Sequence, residues 1–543
     1  MDVEVKQSAI PGAGRGLFAT KDFNPGDIVL SLDRPYVAEL DIDRLCDTCA
    51  WCFQRGATAE EERKNSAALG LPAGFVQTKA CTGCKKVRYC SKTCQSKAWK
   101  REHKYECKAL SVEGRPDLPH GVRAVIKLLG KLKADPENKD ARLIDILQFQ
   151  PVTTGLEDFS KKAPKRFEDF GMLAYGAWKY AGEPKLGDMD TETIAKGLFF
   201  NVMCNTLQLS SPLDDTKLGI GFDPVLCSAN HSCDPNTAAI FNQPRQLLRA
   251  LRPIKKGEEI TMKYVDITNP FSVRQAELSE AYFFGCKCIR CKKGAVWPED
   301  KFLKPAEELA EPFLSTADNL IKRHQSQIAK FFIPANDPTA QRRVAAIQAE
   351  AFSVSGITFD ANKGNIAASE DEIKDALKLT LNSGLWPVTR QPVPHLLRQR
   401  LILYLAEGRT YQAWRIALKI RFEISPVLHP QAFYPDRVID CWFLATLSNQ
   451  LCNPMIPGHK EIFQESMQNG LDLRIVYMGF LCETRDAMDK SYGEDSPFGR
   501  VVETMYAQTF ANSDISEAEL RNRVEQTWPM LEAVAKSVDV VNL

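Results

Sequence analysis

Eight side chains with metal-ligand chemistry fall into four close pairs: Cys49-Ala-Trp-Cys52, Cys81-Thr-Gly-Cys84, Cys90-x3-Cys94 and His103-x3-Cys107. Each spacing lets two side chains converge on one tetrahedral ion, so four pairs imply two Zn2+. All eight ligands are used and no position stays open to water, which marks the ions as structural rather than catalytic. A module this small has little core of its own, so the metals would hold it folded. Cys46-Asp-Thr-Cys49 has the same spacing as Cys49–Cys52, so Cys46 and Cys52 compete for one ligand position. A second run, Cys286-x-Cys288-x2-Cys291, offers three thiols and needs a fourth. Clustered thiols at short spacing read as metal ligands, whereas the isolated Cys441, Cys452 and Cys482 read as small buried apolar residues.

The second chemical signal is a polar loop, Asn230-His231-Ser232-Cys233-Asp234-Pro235-Asn236. Taken alone it is a turn whose side chains bond their own backbone. Three further segments accompany it in order. They are Gly12-Ala-Gly14-Arg15-Gly16-Leu17-Phe18, Gly257-Glu258-Glu259-Ile260-Thr261-Met262-Lys263-Tyr264 and Tyr282-Phe283-Phe284-Gly285-Cys286-Lys287-Cys288-Ile289-Arg290-Cys291. A glycine-rich turn is weak by itself, but the four together resemble the ordered motifs of SET domain methyltransferases. The stretch from Cys84 through Tyr89, Cys90, Cys94 and Trp99 to His103 and Cys107 resembles a MYND finger. The chain is therefore similar to the SET and MYND domain lysine methyltransferases, in which the finger splits the SET domain.

That resemblance implies an interleaved finger, with Cys49, Cys52, Cys90 and Cys94 on one ion and Cys81, Cys84, His103 and Cys107 on the other. Phe53 follows Cys52 as an aromatic often does in the family, which favours Cys52 over Cys46. The family's fourth ligand for the third ion is Cys233; a nearby thiol such as Cys227 is the alternative. Three structural zinc ions and S-adenosylmethionine as methyl donor are thus the implied cofactors. Tyr264 would orient the acceptor amine and polarise the site, and Tyr282 would line the lysine channel. Arg15 and Gly16 would contact the cofactor by main chain, Asn205, Asn230 and His231 by polar groups, and Phe284 by stacking near the adenine. Two departures from the family are visible: eight residues separate Cys94 from His103 where seven are common, and Thr206-Leu207 follows Asn205 in place of Ser-Phe.

The chemistry so implied has a definite cost. Keeping a lysine amine neutral at pH 7, against a free pKa of about 10.4, costs roughly 4–5 kcal/mol. Desolvation and the sulfonium's positive charge lower that cost, and aligned attack supplies most of the rest. A tyrosine with a pKa near 10 is a poor strong base, so Tyr264 is expected to act by orientation and hydrogen bonding.

The surrounding elements must hold these groups in place. Gly16–Ala19 and Asp27–Leu32 read as short strands around an Asn-Pro-Gly-Asp turn. Residues 57–79 read as a surface insertion, 108–200 as mainly helical, 201–265 as short strands and turns, and 300 onward as almost wholly helical. Leu397, Leu401 and Leu405 share one helical face, Gly408 breaks the run, and Trp414, Leu418 and Phe422 share the next. The expected architecture is α+β and multidomain: a β-rich split SET core with an inserted MYND finger, a post-SET zinc cap and a helical, TPR-like C-terminal domain. The expected divisions are 1–45, 46–107, 108–195, 196–268, 269–295 and 296–543, the outer pieces of the core being the first and fourth.

Bulk properties narrow the partners. Seventy basic residues balance 69 acidic ones in 543, for a net charge of +1. This disfavours nucleic acid as the main partner. Lys85, Lys86, Arg88, Lys92, Lys97, Lys100, Arg101 and Lys104 form a basic stretch that reads as a solvated finger surface. The opening Met1-Asp2-Val3-Glu4-Val5-Lys6 lacks the basic and apolar runs of a secretory signal, and no apolar stretch is long enough to span a bilayer. An intracellular protein, cytoplasmic or nuclear, is expected. Its partners would be a protein or peptide substrate carrying a target lysine and, through the finger, proline-containing peptides. The alternative from another class is an inactive scaffold acting through finger and tail; the presence of Tyr264, Asn230 and His231 favours the enzyme. His120, His324, His395, His429 and His459 lack partners at ligand spacing and read as ordinary histidines.

Overall fold

A computed structural model describes residues 2–56, 76–112, 114, 117–135, 137, 139–147, 152–185, 190–213, 216–356 and 368–543. Most of the expected insertion at 57–79, residues 57–75, lies outside them. The chain forms two compact units. One comprises Met1–His231, Pro235–Met262 and Asp489–Val501; the other comprises Ser232–Asp234, Lys263–Met488 and Val502–Leu543. The architecture is mixed α+β with a helical C-terminal region.

Short sheets build the first unit. Strands β1 (Val3–Gln7) and β2 (Arg15–Ala19) pair antiparallel, with Lys6 opposite Gly16. Strands β3 (Ile28–Leu32) and β4 (Val37–Leu40) follow, then β5 (Lys79–Ala80) and β6 (Arg88–Tyr89) in the finger. After the helical insertion come β7 (Leu207–Ser210), β8 (Lys217–Phe222), β9 (Asn230–His231), β10 (Thr237–Asn242), β11 (Arg245–Ala250) and β12 (Glu259–Met262). One sheet has the order β1-β2-β12-β9, and two others run β10-β11-β3 and β4-β8-β7. In the first, β12 pairs antiparallel with β2 and parallel with β9, setting Thr261 opposite Asn230 and Met262 opposite His231. Alternation explains the register: Ile260 and Met262 are buried while Glu259 and Thr261 are half-buried, so one face of β12 packs and the other carries polar groups.

The helices of the insertion pack through rings. Phe159, Phe167, Phe170 and Phe199 form edge-on and stacked contacts with centroids 5.5–5.7 Å apart. The helix Thr191–Asn205 starts on Asp190, whose carboxylate accepts from the amides of Glu192 and Thr193. It runs to residue 205, past the expected switch to strands at 201, because Val202 continues the buried face of Leu198, Phe199 and Phe200. The helix His120–Ala134 is buried further round than its apolar spacing implies, since Arg123 and Lys127 are buried as well. Both find Glu39 of β4, at 3.2 and 2.8 Å.

In the second unit Leu397 and Leu401 are buried and Leu405 is half-buried on the helix Val393–Ala406. Gly408 adopts φ +71°, a left-handed turn that ends the helix. Trp414 and Leu418 are buried on the next helix, where the Trp414 indole donates to Ser448 Oγ at 3.0 Å. Among the described residues no helix is long and apolar enough to cross a membrane.

The segment Asp489–Val501 leaves the helical region and is built into the first unit. Asn242 Nδ2 donates to Tyr492 O at 2.8 Å, and Arg245 pairs with Asp495 at 2.5 Å. Gly26 lies so close to Lys490 that an added Cβ would come within 2.6 Å of its Cγ.

Candidate functional site

The finger brings its ligand atoms into two groups. Cys49, Cys52, Cys90 and Cys94 form one, Cys81, Cys84, His103 and Cys107 the other, and in each all ligand atoms lie within 4.8 Å of one another. Sulfurs of Cys52 and Cys90 are 3.6 Å apart, those of Cys90 and Cys94 3.4 Å, and those of Cys81 and Cys107 3.9 Å. Zn–S bonds of ~2.3 Å give a tetrahedral edge of about 3.8 Å. Disulfides, at about 2.05 Å, are excluded. Both clusters therefore fit zinc. Cys46 is exposed, donates to Asp43 O at 3.3 Å and belongs to neither group.

His103 turns Nε2 toward Cys84, 3.7 Å away, because its Nδ1–H donates to Glu106 Oε1 at 2.9 Å. Glu106 meets Lys127 at 3.2 Å, and Lys127 meets Glu39, so a buried charge chain joins the finger to β4. Arg34 adds a second link: it pairs with Glu102 at 2.9 Å and lies over the rings of Trp51 and Phe53 at 4.5 and 4.7 Å. Phe53 adopts φ +62°, is fully buried, and meets Phe241 of β10 edge-on at 5.2 Å. Lys127→Met would leave Glu39 and Glu106 short of a cation inside the unit. It is expected to cost about 3–5 kcal/mol in denaturant unfolding; an unchanged midpoint would mean the chain of charges carries no net stability.

The third group, Cys233, Cys286, Cys288 and Cys291, also lies within 4.8 Å, and it belongs to the second unit. Cys227 lies in the first, its Sγ donating to Asn205 O at 2.8 Å. Arg290 donates to Cys233 O at 2.6 Å and Ile267 O at 3.1 Å, and both Arg290 and Arg274 pair with Glu299. Gln275 grips Cys286 from both sides, accepting from its amide at 3.0 Å and donating to its carbonyl at 3.2 Å. Buried Cys233, Leu278 and Cys291 form a small core on which Tyr264, Phe271 and Tyr282 pack.

The aromatic residues expected at the lysine lie beside that core. The Tyr264 and Tyr282 rings have centroids 5.1 Å apart at 39°, and Tyr282 Oη donates to Tyr264 O at 3.3 Å. Phe284 meets Tyr282 at 6.5 Å. Between them Phe283 has φ +64°, an uncommon conformation for a bulky residue that costs on the order of 1–3 kcal/mol. It reverses the chain so that Tyr282 and Phe284 meet. On the helix Phe271–Ala281, Glu277 accepts from Asn269 at 3.2 Å through Oε1. Burial, and then the Asp266 carboxylate, push its pKa up to about 8. The folded chain thus holds a proton that the unfolded chain releases, and this contribution to stability is lost as pH rises through about 8. Glu277→Gln and the wild type should melt alike at about pH 4 and diverge at about pH 9, with the variant higher. Parallel melting curves across that range would contradict a protonated Glu277.

The remaining expected site residues lie in the first unit. Asn230 Nδ2 donates to Arg15 O at 3.0 Å and to Glu259 Oε1 at 2.7 Å. Ser8 Oγ donates to the same carboxylate at 2.7 Å, and Gly16 leaves room for it, since an added Cβ would fall 2.5 Å from Oε1. Arg15, Gly16, Asn230 and Glu259 are thus one cluster. Arg15 also reaches Asp145 at 3.1 Å, and His231 is buried on β9. Asn205 stands at a helix end, where its Nδ2 donates to Asn201 O at 3.0 Å. Nothing in the sequence alone marks Glu259, Ser8, Gln275 and Arg290 as parts of these clusters. The available signal for Glu259 was a polar position on a strand whose alternate residues, Ile260 and Met262, are apolar.

Comparison with known proteins bears on this arrangement. The family model of the SET domain matches residues 14–265. The SET domain and MYND-type zinc finger protein 6 of Schizosaccharomyces pombe is 31% identical over 294 residues, 54% of this chain and 53% of that protein. Histone-lysine N-methyltransferase ASHR1 of Arabidopsis thaliana is 28% identical over 52% of this chain and 54% of its own length. Human N-lysine methyltransferase SMYD2 is 28% identical over 59% and 67%. The chain spans about half the length of the first two. Residues 14–265 thus match the SET domain model, and the chain is similar to SET and MYND domain proteins over about half its length.

Proposed function

We propose that this chain is an S-adenosylmethionine-dependent protein lysine N-methyltransferase. The reading rests on one observation above others: the strand β12 that carries Glu259 against Asn230 and Gly16 ends two residues before Tyr264. Relatives named as lysine methyltransferases support it.

The residues of the first unit suit a polar ligand bearing donors. Both hydrogens of Asn230 Nδ2 are spent on Arg15 O and Glu259, which leaves its Oδ1 as the acceptor end of the amide. Arg15 and Gly16 would add main-chain contacts, and Asn205, His231 and Phe284 the remaining ones. Bound S-adenosylmethionine would supply an electrophilic methyl group. Tyr264 would hold the acceptor amine in line by its hydroxyl, and the Tyr264–Tyr282 pair would exclude water and favour the neutral amine. The two finger zincs would be structural. The third, on Cys233, Cys286, Cys288 and Cys291, would fix the core on which both tyrosines pack. We assign 1–45 and 196–268 to the SET core, 46–107 to the finger, 108–195 to the insertion, 269–295 to the cap and 296–543 to the helical domain. The substrate is a protein or peptide lysine in the cytoplasm or nucleus, and the finger is a second surface for proline-containing peptides.

Isothermal titration of the zinc-loaded chain with S-adenosylmethionine tests this. Micromolar binding that Asn230→Ala weakens by ten-fold or more is the expected result. No binding by folded wild-type protein would reject the enzyme and leave a scaffold.

A further inference from the structure

We infer that Glu259 is a positioning residue: it locks the carboxamide of Asn230 in one orientation and thereby selects a hydrogen-bond donor on the ligand. This deepens the cofactor reading above and rests on it.

An asparagine amide can turn over, exchanging its oxygen and nitrogen, unless its neighbours forbid it. Here they do. Arg15 O, at 3.0 Å, can only accept. Glu259 Oε1, at 2.7 Å, belongs to a carboxylate, which can only accept when ionised. Two acceptors on one side demand the Nδ2 group there. A flipped amide would set Oδ1 against both of these oxygens, two acceptor–acceptor contacts that are strongly unfavourable inside a part-buried site.

The carboxylate is itself fixed. Ser8 Oγ donates to Oε1 at 2.7 Å and to Oε2 at 2.9 Å, across more than 250 residues of sequence. Gly16 lies directly over Oε1, where a methyl group would stand 2.5 Å away. The paired strands hold the distances: β2 lies between β1 and β12, and β12 lies beside β9, so Ser8, just past the end of β1, Gly16, Glu259 and Asn230 follow one another across one sheet. The effect of Glu259 passes through Asn230, whose Oδ1 is left as a preset acceptor. Glutamine at 259 would keep the size but could present either oxygen or nitrogen, and the Asn230 amide would no longer have one favoured orientation.

The test uses the full zinc-loaded chain and three probes by isothermal titration: S-adenosylhomocysteine, its deaminated analogue with hydrogen in place of the α-ammonium, and S-inosylhomocysteine, with oxygen in place of the adenine 6-amino group. In the wild type one of the two analogues should bind about ten-fold or more weakly, which identifies the donor. In Glu259→Gln, S-adenosylhomocysteine itself should weaken about ten-fold and its advantage over that analogue should shrink to about two-fold. A merely structural defect would weaken all three probes together and keep the ratio. Should Glu259→Gln fail to fold, Ser8→Ala, which frees the carboxylate without removing it, should narrow the same ratio. An unchanged ratio in the folded variant, or no discrimination by the wild type, overturns the inference. Failure of the wild type to bind S-adenosylhomocysteine at all counts against the cofactor reading instead.

Discussion

Tyr264→Phe should lower methyl transfer to a lysine-bearing protein by about a hundred-fold or more, while S-adenosylmethionine binding stays within about three-fold. The substitution removes one oxygen and keeps the ring. The ring's setting is built from other parts: Tyr282 packs against it at 5.1 Å, and both rest on Cys233, Leu278 and Cys291. Tyr282 donates to the Tyr264 carbonyl, not to its hydroxyl, so that bond survives. A loss of turnover without a loss of cofactor affinity would mark the hydroxyl as acting on the acceptor amine. The measurement is transfer of a labelled methyl group at saturating cofactor. Activity within three-fold of the wild type would remove Tyr264 from the chemistry.

Cys233→Ala should lower the zinc content from three ions per chain to two and unfold the cap. The effect should exceed that of an ordinary buried substitution, because a structural zinc site can contribute on the order of 10 kcal/mol of folding free energy. Arg274, fully buried, pairs with Glu299 and lies near the thiolates of Cys233 and Cys291, so losing the ion and its thiolates would upset a buried charge balance as well. Metal analysis of dialysed protein, with melting followed alongside, gives the answer. Three ions retained by the variant would place the fourth ligand elsewhere.

What the sequence disclosed follows a physical pattern. Zinc pairs are local: two ligands with two or three residues between them can face one ion, so His103 and the cysteines of the finger could be picked out by spacing. Strand, turn and helix tendencies are local too, as at Gly408. By contrast, Glu259 gains its meaning from Ser8, Gly16 and Asn230, which only strand pairing brings near. Arg123 and Lys127 are charged yet buried, because Glu39 of a strand distant in sequence offers a charge to match. Cys46 and Cys52 could not be ranked by spacing alone, since both stand three residues from Cys49; the fold leaves Cys46 exposed. Hydrophobic periodicity likewise gives no hint that Asp489–Val501 belongs to the first unit.

That last segment has a consequence for how the protein is made. The first unit opens at the amino terminus but lacks its final piece until residue 501 has been synthesised. Until then Asn242, Arg245 and the hollow over Gly26 wait for Tyr492, Asp495 and Lys490. Most of the second unit's long helices therefore leave the ribosome before the last piece of the first unit does. A premature stop codon anywhere between 266 and 489 would damage both halves of the molecule, even though the whole stretch matched by the SET domain model had been translated.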